Sequence, residues 1–327
     1  MRPPGTRLVA VLSAGALSGA FLTGCGEERR TAPEPRVLLG ANAQNRRQIE
    51  EREADAGRRL PGVRVFRRWD EPLLGPDMEW ARSGKRALFV SVKARRKDGA
   101  VIRWRDIADA RRGEPLHDDV LAQARELKAF GGTVHLVFNH EPEARPSRPM
   151  GSAADYVAAW RRVVRVHRKE GVTNVRYVWT VTHLAFGRNG GREAEAYYPG
   201  DDYVDAIGVD AYNWYTCLSR DTPWLSLREL IEPHRRFGLR HPGKPLMVLE
   251  WASAEDKAVS GRKAAWIREA AALFRLPDYR GYTALLYWDD RHAPDASHIR
   301  CDLDYRSSPS ALEAWREMVA GAPYRAP

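Results

Sequence analysis

The stretch VHLVFNHEPE, residues 134–143, begins with a mostly apolar run and breaks off into polar residues and a proline. A short run of β-branched and aliphatic residues bounded by turn formers reads as a parallel strand buried on both faces. The strand is predicted over residues 134–138, with His140 and Glu141 just past its end. A second stretch, KPLMVLEWAS, residues 244–253, repeats the pattern and ends its apolar run at Glu250. Working outward, similar runs recur at residues 37–40, 63–66, 87–92, 175–179, 206–209 and 284–287. Between them, residues 118–129, 153–167, 225–237 and 262–274 place apolar side chains at helical spacing. Eight strands alternating with helices predict an α/β fold, a (β/α)8 TIM barrel forming a single domain over residues 36–327. Reactive groups of such barrels sit where the strands end, so Glu141 and Glu250 become candidate catalytic carboxyls.

The rest of the chain bounds the setting. Its 327 residues accommodate one barrel of about 250 residues with extensions. A basic start, MRPPGTR, is followed by an apolar run over residues 8–22, which is too short to span a bilayer and reads as an export signal, residues 1–24. The tetrapeptide LTGC, residues 22–25, resembles the bacterial lipobox, and Cys25 is the expected lipid attachment site. Residues 25–35 would then be a flexible leash holding an extracytoplasmic lipoprotein at the cell membrane. Lipidation of Cys25 leaves an even pair, Cys217 and Cys301, expected to be bridged in that oxidising compartment, two free buried thiols being the alternative. The net charge of +10 comes from dispersed arginines. No basic block interleaves with aromatics, so no nucleic-acid partner is expected, and a solvated surface is preferred over attraction to an acidic polymer.

Three motifs together carry a family resemblance: YYPGDDYVDAIGVDAYNWY at residues 197–215, NHEPE at 139–143 and PLMVLEWAS at 245–253. On these motifs the chain, from about residue 37 onward, resembles glycoside hydrolase family 26, in the barrel clan of retaining glycosidases. The resemblance implies Glu141 as acid/base, His140 as the histidine preceding it, Glu250 as nucleophile and Tyr212 as a hydrogen-bond donor to that nucleophile. It also implies an arginine near the end of the second strand, assigned here to Arg67, with Arg68 adjoining. The expected activity is retaining, endo-acting hydrolysis of a β-linked polysaccharide, with β-1,4-mannan as the family default. No cofactor or metal is expected, and a monomer is.

The chemistry requires one carboxyl to protonate the departing oxygen and a second to attack the sugar or activate water. Trp288 and Trp214 offer flat faces for pyranose rings, while Asp210, Asn213 and His183 are candidates for sugar hydroxyls. Trp179 stands at the fifth strand, Trp69 is expected to pack under a loop, and His135 to pack in the core. One departure bears on substrate: Pro142-Glu143-Ala144-Arg145 stands where mannan-cleaving members carry Met-Asn and then aromatics. Glucan, xylan or an envelope polymer therefore remain open. A non-catalytic polysaccharide-binding barrel is the rival reading. A metal-dependent hydrolase is disfavoured because the histidines show no HxH or HExxH spacing.

Overall fold

The computed structural model describes residues 37–217, 221–289, 301–321 and 324. The expected signal, Cys25 and the leash lie outside the described residues. Eight parallel strands close a barrel in chain order: β1 (Leu38–Asn42), β2 (Gly62–Arg68), β3 (Ala87–Lys93), β4 (Val134–Phe138), β5 (Val175–Thr182), β6 (Ala206–Asn213), β7 (Leu246–Ser253) and β8 (Tyr282–Tyr287). The helices around them are α1 (Arg46–Ala56), α2 (Pro76–Ser83), α3 (Trp104–Asp109), α4 (Pro115–Phe130), α5 (Ala153–Lys169), α6 (His183–Gly187), α7 (Arg192–Tyr197), α8 (Leu227–Leu239), α9 (Arg262–Leu273) and α10 (Pro309–Ala320). The first and last strands meet with Leu39 opposite Leu285. Among the described residues no helix is long and apolar enough to cross a membrane.

Two apolar layers follow from strand alternation. Phe89, Val137, Val178, Met247, Leu249 and Leu286, all from strands, fill the barrel interior. Alternate residues such as Val63, Val65, Val90 and Val248 face outward and pack with helix residues in the surrounding shell. Helix starts are marked by polar caps: Ser152 and Asp155 bond reciprocally at α5, and Ser226 and Glu229 do the same at α8. The predicted segment 225–237 therefore begins two residues later, because Ser226 is the cap.

β5, β6 and β7 continue three or four residues beyond their apolar runs. Polar residues there, Thr182, Asp210 and Glu250 among them, still pair their backbones across the sheet, so hydropathy ends a strand before the ladder does. β7 also holds one residue more than its neighbours. Val209 and Asp210 of β6 pair with Val248 and Glu250, and Leu285 and Tyr287 of β8 pair with Val248 and Trp251. This bulge lets Leu249 and Glu250 both address the barrel interior before Trp251 returns to the outer shell.

Cys217, after β6, and Cys301, after β8, form a disulfide with Cα atoms 5.2 Å apart. The bond ties together two segments on the side of the barrel where strands end. It spans 84 residues, and cross-linking so distant a pair chiefly restricts the unfolded chain. Replacing both cysteines by alanine is expected to lower stability by about 2 to 4 kcal/mol. An unchanged denaturant midpoint under non-reducing conditions would show that the bridge contributes nothing.

Candidate functional site

Asn42, Arg64, Ser91, Glu141, Asp210, Tyr212 and Glu250 converge at the C-terminal mouth. Arg64, wholly buried in β2, donates from Nε to Ser91 Oγ (2.8 Å) and from Nη1 to the Leu249 carbonyl (3.0 Å) and Glu250 Oε1 (2.9 Å). The same nitrogen lies 3.6 Å from Asp210 Oδ1, beyond hydrogen-bond reach. Its guanidinium sits over the Phe66 ring, 4.7 Å from the centroid. The Tyr212 hydroxyl donates to Glu250 Oε2 at 2.5 Å, so both oxygens of Glu250 are engaged, one by a cation and one by a neutral donor. Asn42 braces the floor by donating to the carbonyls of Leu249, Leu286 and Tyr287.

Glu141 reaches the floor from a turn that leaves β4 sharply. Asn139 and Glu141 both have left-handed backbones, φ 46° and 49°, which non-glycine residues adopt only when surroundings impose it. Here the Asn139 N–H donates to the Val92 carbonyl, Asn139 Oδ1 accepts from the Ala94 N–H, and the Glu141 N–H donates to the Thr180 carbonyl. The turn is thereby fastened to β3 on one side and β5 on the other. Glu143 adds a brace, its Oε1 accepting from the Thr182 N–H (2.7 Å) and hydroxyl (2.6 Å).

Carboxylate oxygens of Glu141, Asp210 and Glu250 lie within 4.8 Å of one another. Burial, then the neighbouring Glu250, pushes the Glu141 carboxyl up to about 8. Burial and Glu250 likewise push Asp210 well above the usual carboxyl range, and among the described residues neither of its oxygens has a hydrogen-bond partner. Burial lowers Lys93, at the end of β3, although Glu141 and Glu250 act in the opposite sense. Burial also holds the His140 imidazole well below its ordinary value, hence neutral. Three acids so close could hold a divalent cation, but the Arg64 guanidinium already lies against two of them.

The structure gathers His140, Glu141, Asp210, Tyr212 and Glu250 and corrects two other assignments. The arginine beside Glu250 is Arg64, not Arg67. The two differ by an odd number in a strand of period two, so Arg64 points inward while Arg67 turns at the rim and donates to the Phe66 carbonyl. Asn213 is buried rather than available to sugar: its Nδ2 donates to Ser253 Oγ (2.9 Å) and its Oδ1 accepts from the Leu225 N–H (3.1 Å). Trp214 lies against Tyr212 with ring centroids 4.6 Å apart, and Trp288 meets the Phe66 ring edge at 5.4 Å. Both are half-buried. Burial pushes His183, at the start of α6, down to about 4, near the Asp210 backbone. Trp179 packs among Phe186, Tyr198 and Phe237, and Trp69 donates to Asp119 under its loop. His135 stacks on Phe89. Sequence reasoning missed Arg64, Lys93, Asn42 and Glu143; a lone arginine inside the apolar run GVRVF was the available signal.

The model for glycosyl hydrolase family 26 matches residues 149–225. That span contains Asp210 and Tyr212 but neither Glu141 nor Glu250. Endoglucanase H of Acetivibrio thermocellus is 28% identical over 276 residues, 80% of this chain, and this chain spans only 28% of that relative's length. Among solved structures, the GH26 domain of an endo-β-mannanase/endo-β-glucanase from Prevotella bryantii is similar with a TM-score of 0.58 at 14% identity, covering 88% of this chain and 90% of that one. An endo-β-1,4-mannanase from Cellulomonas fimi gives 0.61 at 15%, covering 89% and 72%. At such identity these structures speak to the fold.

Proposed function

We propose that this chain, which matches the model of glycosyl hydrolase family 26 over residues 149–225, is a member of that family and hydrolyses a β-linked polysaccharide, endo-acting and with retention, using Glu250 as nucleophile and Glu141 as acid/base. The observation that carries this reading is the contrast between two carboxyls whose oxygens approach within 4.8 Å. Glu141 is biased toward its protonated form, while Glu250 is gripped by Arg64 and Tyr212. Inverting enzymes separate their carboxyls by roughly 6.5 to 9.5 Å to admit a water, and retaining enzymes by about 5 to 5.5 Å. The spacing here suits direct attack.

In the first step a Glu250 oxygen bonds to the anomeric carbon, the glycosidic C–O bond breaks, and the Glu141 proton passes to the departing oxygen. In the second, the Glu141 carboxylate takes a proton from water as that water attacks the same carbon, freeing Glu250 with the sugar in its original configuration. Tyr212, held protonated by burial and by Glu250, keeps the nucleophile oriented. Neutral His140, braced edge-on by Phe66 at 5.3 Å, fixes the approach to Glu141 without adding a competing charge. Trp288 and Trp214 supply stacking faces for sugar rings. β-1,4-Mannan is the default substrate and β-glucan the second reading, the latter favoured by the similarity to an endoglucanase. Against a barrel that merely binds glycan stands the paired acid and nucleophile, for which a binder has no use.

The test is incubation with β-1,4-linked manno-, gluco- and xylo-oligosaccharides, with the anomeric configuration of new ends read by NMR before mutarotation. Retained configuration on at least one series is expected. Products of inverted configuration would overturn the mechanism, and no turnover on any would favour the binding module.

A pH dependence follows. Glu141 must carry its proton to act as acid, and its carboxyl is raised to about 8. The kcat/KM profile should therefore hold through neutrality and fall about tenfold per pH unit above about 8. An alkaline limb already descending near pH 5 would contradict the environment described for Glu141.

We also infer that Cys25 carries a lipid that holds the protein outside the cytoplasmic membrane, on the strength of the apolar run and LTGC tetrapeptide before it. Cys25→Ser should move the protein out of the membrane fraction; unchanged membrane association would refute the anchor.

A further inference from the structure

Beside the carboxyl floor, over the ends of β2 and β3, lies a groove of about 820 Å³. Arg67, Arg68, Lys93 and Arg95 line it, against one acid, Glu71, among its described lining residues. His140 and Phe66 also line it and join it to the site. Two features set these cations apart from the rest of the surface.

The first is that, among the described residues, Arg67, Arg68 and Arg95 make no ion pair with a carboxylate, so only Lys93, which feels Glu141 and Glu250, has acids to offset its charge. Many arginines elsewhere sit against carboxylates, such as Arg46 with Glu50, Arg86 with Glu53 and Arg268 with Glu317. Among the described residues, Arg67 donates only to its neighbour's carbonyl at Phe66 and Arg95 to the carbonyl of Gly99. Glu71 accepts from the backbone N–H of Arg68, not from its guanidinium. The second is register: Arg67 pairs with Val92 and Arg68 with Lys93 across β2 and β3. Like charges at paired strand positions repel, and Arg68 and Arg95 both act to lower the Lys93 ammonium. A fold that crowds unpaired cations beside a cleft gains when an anion enters between them.

We propose that this groove is a subsite for anionic groups on the glycan, uronate carboxylates or sulfate esters, held by Arg67, Arg68 and Arg95 with Lys93 beneath. The inference rests on the reading of the cleft as a glycan site and narrows its substrate class to acidic polysaccharides. Guanidinium groups suit this role because their planar forks present paired donors to carboxylate or sulfate oxygens. Because the groove opens to solvent, binding should weaken as salt screens these charges.

The experiment is equilibrium binding of the intact protein to matched β-1,4-linked oligosaccharides at low ionic strength. Each is tested as the neutral parent, after oxidation of its C6 hydroxymethyl groups to carboxylates, and after partial sulfation. The wild type should bind the oxidised or the sulfated form on the order of tenfold tighter than the parent, and the better of the two identifies the anion. Arg68→Gln combined with Arg95→Gln should abolish that ratio. The control is the triple replacement Arg112→Gln, Arg125→Gln and Arg165→Gln, in a separate basic groove beside α4 and α5, and it should keep the ratio. No preference for a charged form, a preference surviving in the double variant, or one lost in the control would each overturn the proposal. Binding is read without turnover, so its failure is distinguishable from failure of the hydrolase reading, which would appear as undiminished hydrolysis in Glu250→Ala.

Discussion

Glu250→Ala is expected to reduce hydrolysis by a factor on the order of 10⁴ to 10⁶, comparable to removing the nucleophile of other covalent enzymes, with the barrel still closed. Truncation removes the carboxylate to which the attack on the sugar is assigned in the proposed mechanism. Arg64 keeps Ser91 and the Leu249 carbonyl as partners, so the variant should remain folded and allow the chemical loss to be isolated. Azide, small enough to occupy the vacated carboxylate volume, should restore turnover on substrates with good leaving groups. Its product should have inverted configuration, because one displacement replaces two. Glu141→Ala should behave differently. Substrates whose leaving groups need no proton should still form the glycosyl-enzyme, so loss there falls mainly on the second step. Near-wild-type hydrolysis in either variant, or an azide product of retained configuration from Glu250→Ala, would remove these residues from the roles given them.

Arg64→Met should lower stability by about 3 to 5 kcal/mol, the range for removing one member of a buried ion pair. Arg64 is the cation beside Glu250, and it lies 3.6 Å from Asp210. Without it a buried carboxylate faces two further acids with no arginine to offset them. The sign with pH is fixed by that arrangement. The buried acids then lack their compensating cation, so the deficit should shrink as pH falls and protons neutralise the cluster. Arg67→Met, at the rim, should shift the urea midpoint little at any pH. Equal midpoints for the two variants at neutral pH would show that Arg64 is not the partner the site depends on. Catalysis should suffer too, since Glu250 loses one of its two donors.

The contrast between these arginines marks the limit of what the sequence discloses. Apolar runs of four to six residues announced all eight strands, because parallel strands buried on both faces leave little room for polar side chains. The same logic concealed the end of β7. Glu250 looks like a terminus in KPLMVLEWAS, yet the ladder runs to Ser253 and gains a bulge on the way. Arg64 was passed over because a charge within an apolar run reads as an interruption; only the closed barrel shows that it meets Glu250 from a strand 186 residues earlier. Asn213 erred in the other direction. Its place beside Tyr212 suggested a sugar contact, but its amide is consumed by Ser253 and Leu225. Neighbours along a strand are legible in sequence, whereas partners across a barrel depend on register.

The left-handed turn at Asn139 and Glu141 has a consequence for anyone improving this protein by selection. Backbone strain of this kind disfavours the folded state by roughly 1 to 3 kcal/mol per residue. At Glu141 it coincides with a carboxyl raised to about 8, so the folded state increasingly resists that group's ionisation as pH rises from its ordinary value toward 8. The proposed active centre is thus among the least comfortable parts of the fold, and a library ranked by heat tolerance alone will reward replacing the residues to which the chemistry is assigned. Glycine at position 141 relaxes the turn, and a neutral side chain at position 210 removes a buried acid. Screens for a hardier enzyme should therefore hold residues 139, 141 and 210 constant and seek their gains in the outer helices, where thermal robustness and turnover are not in competition.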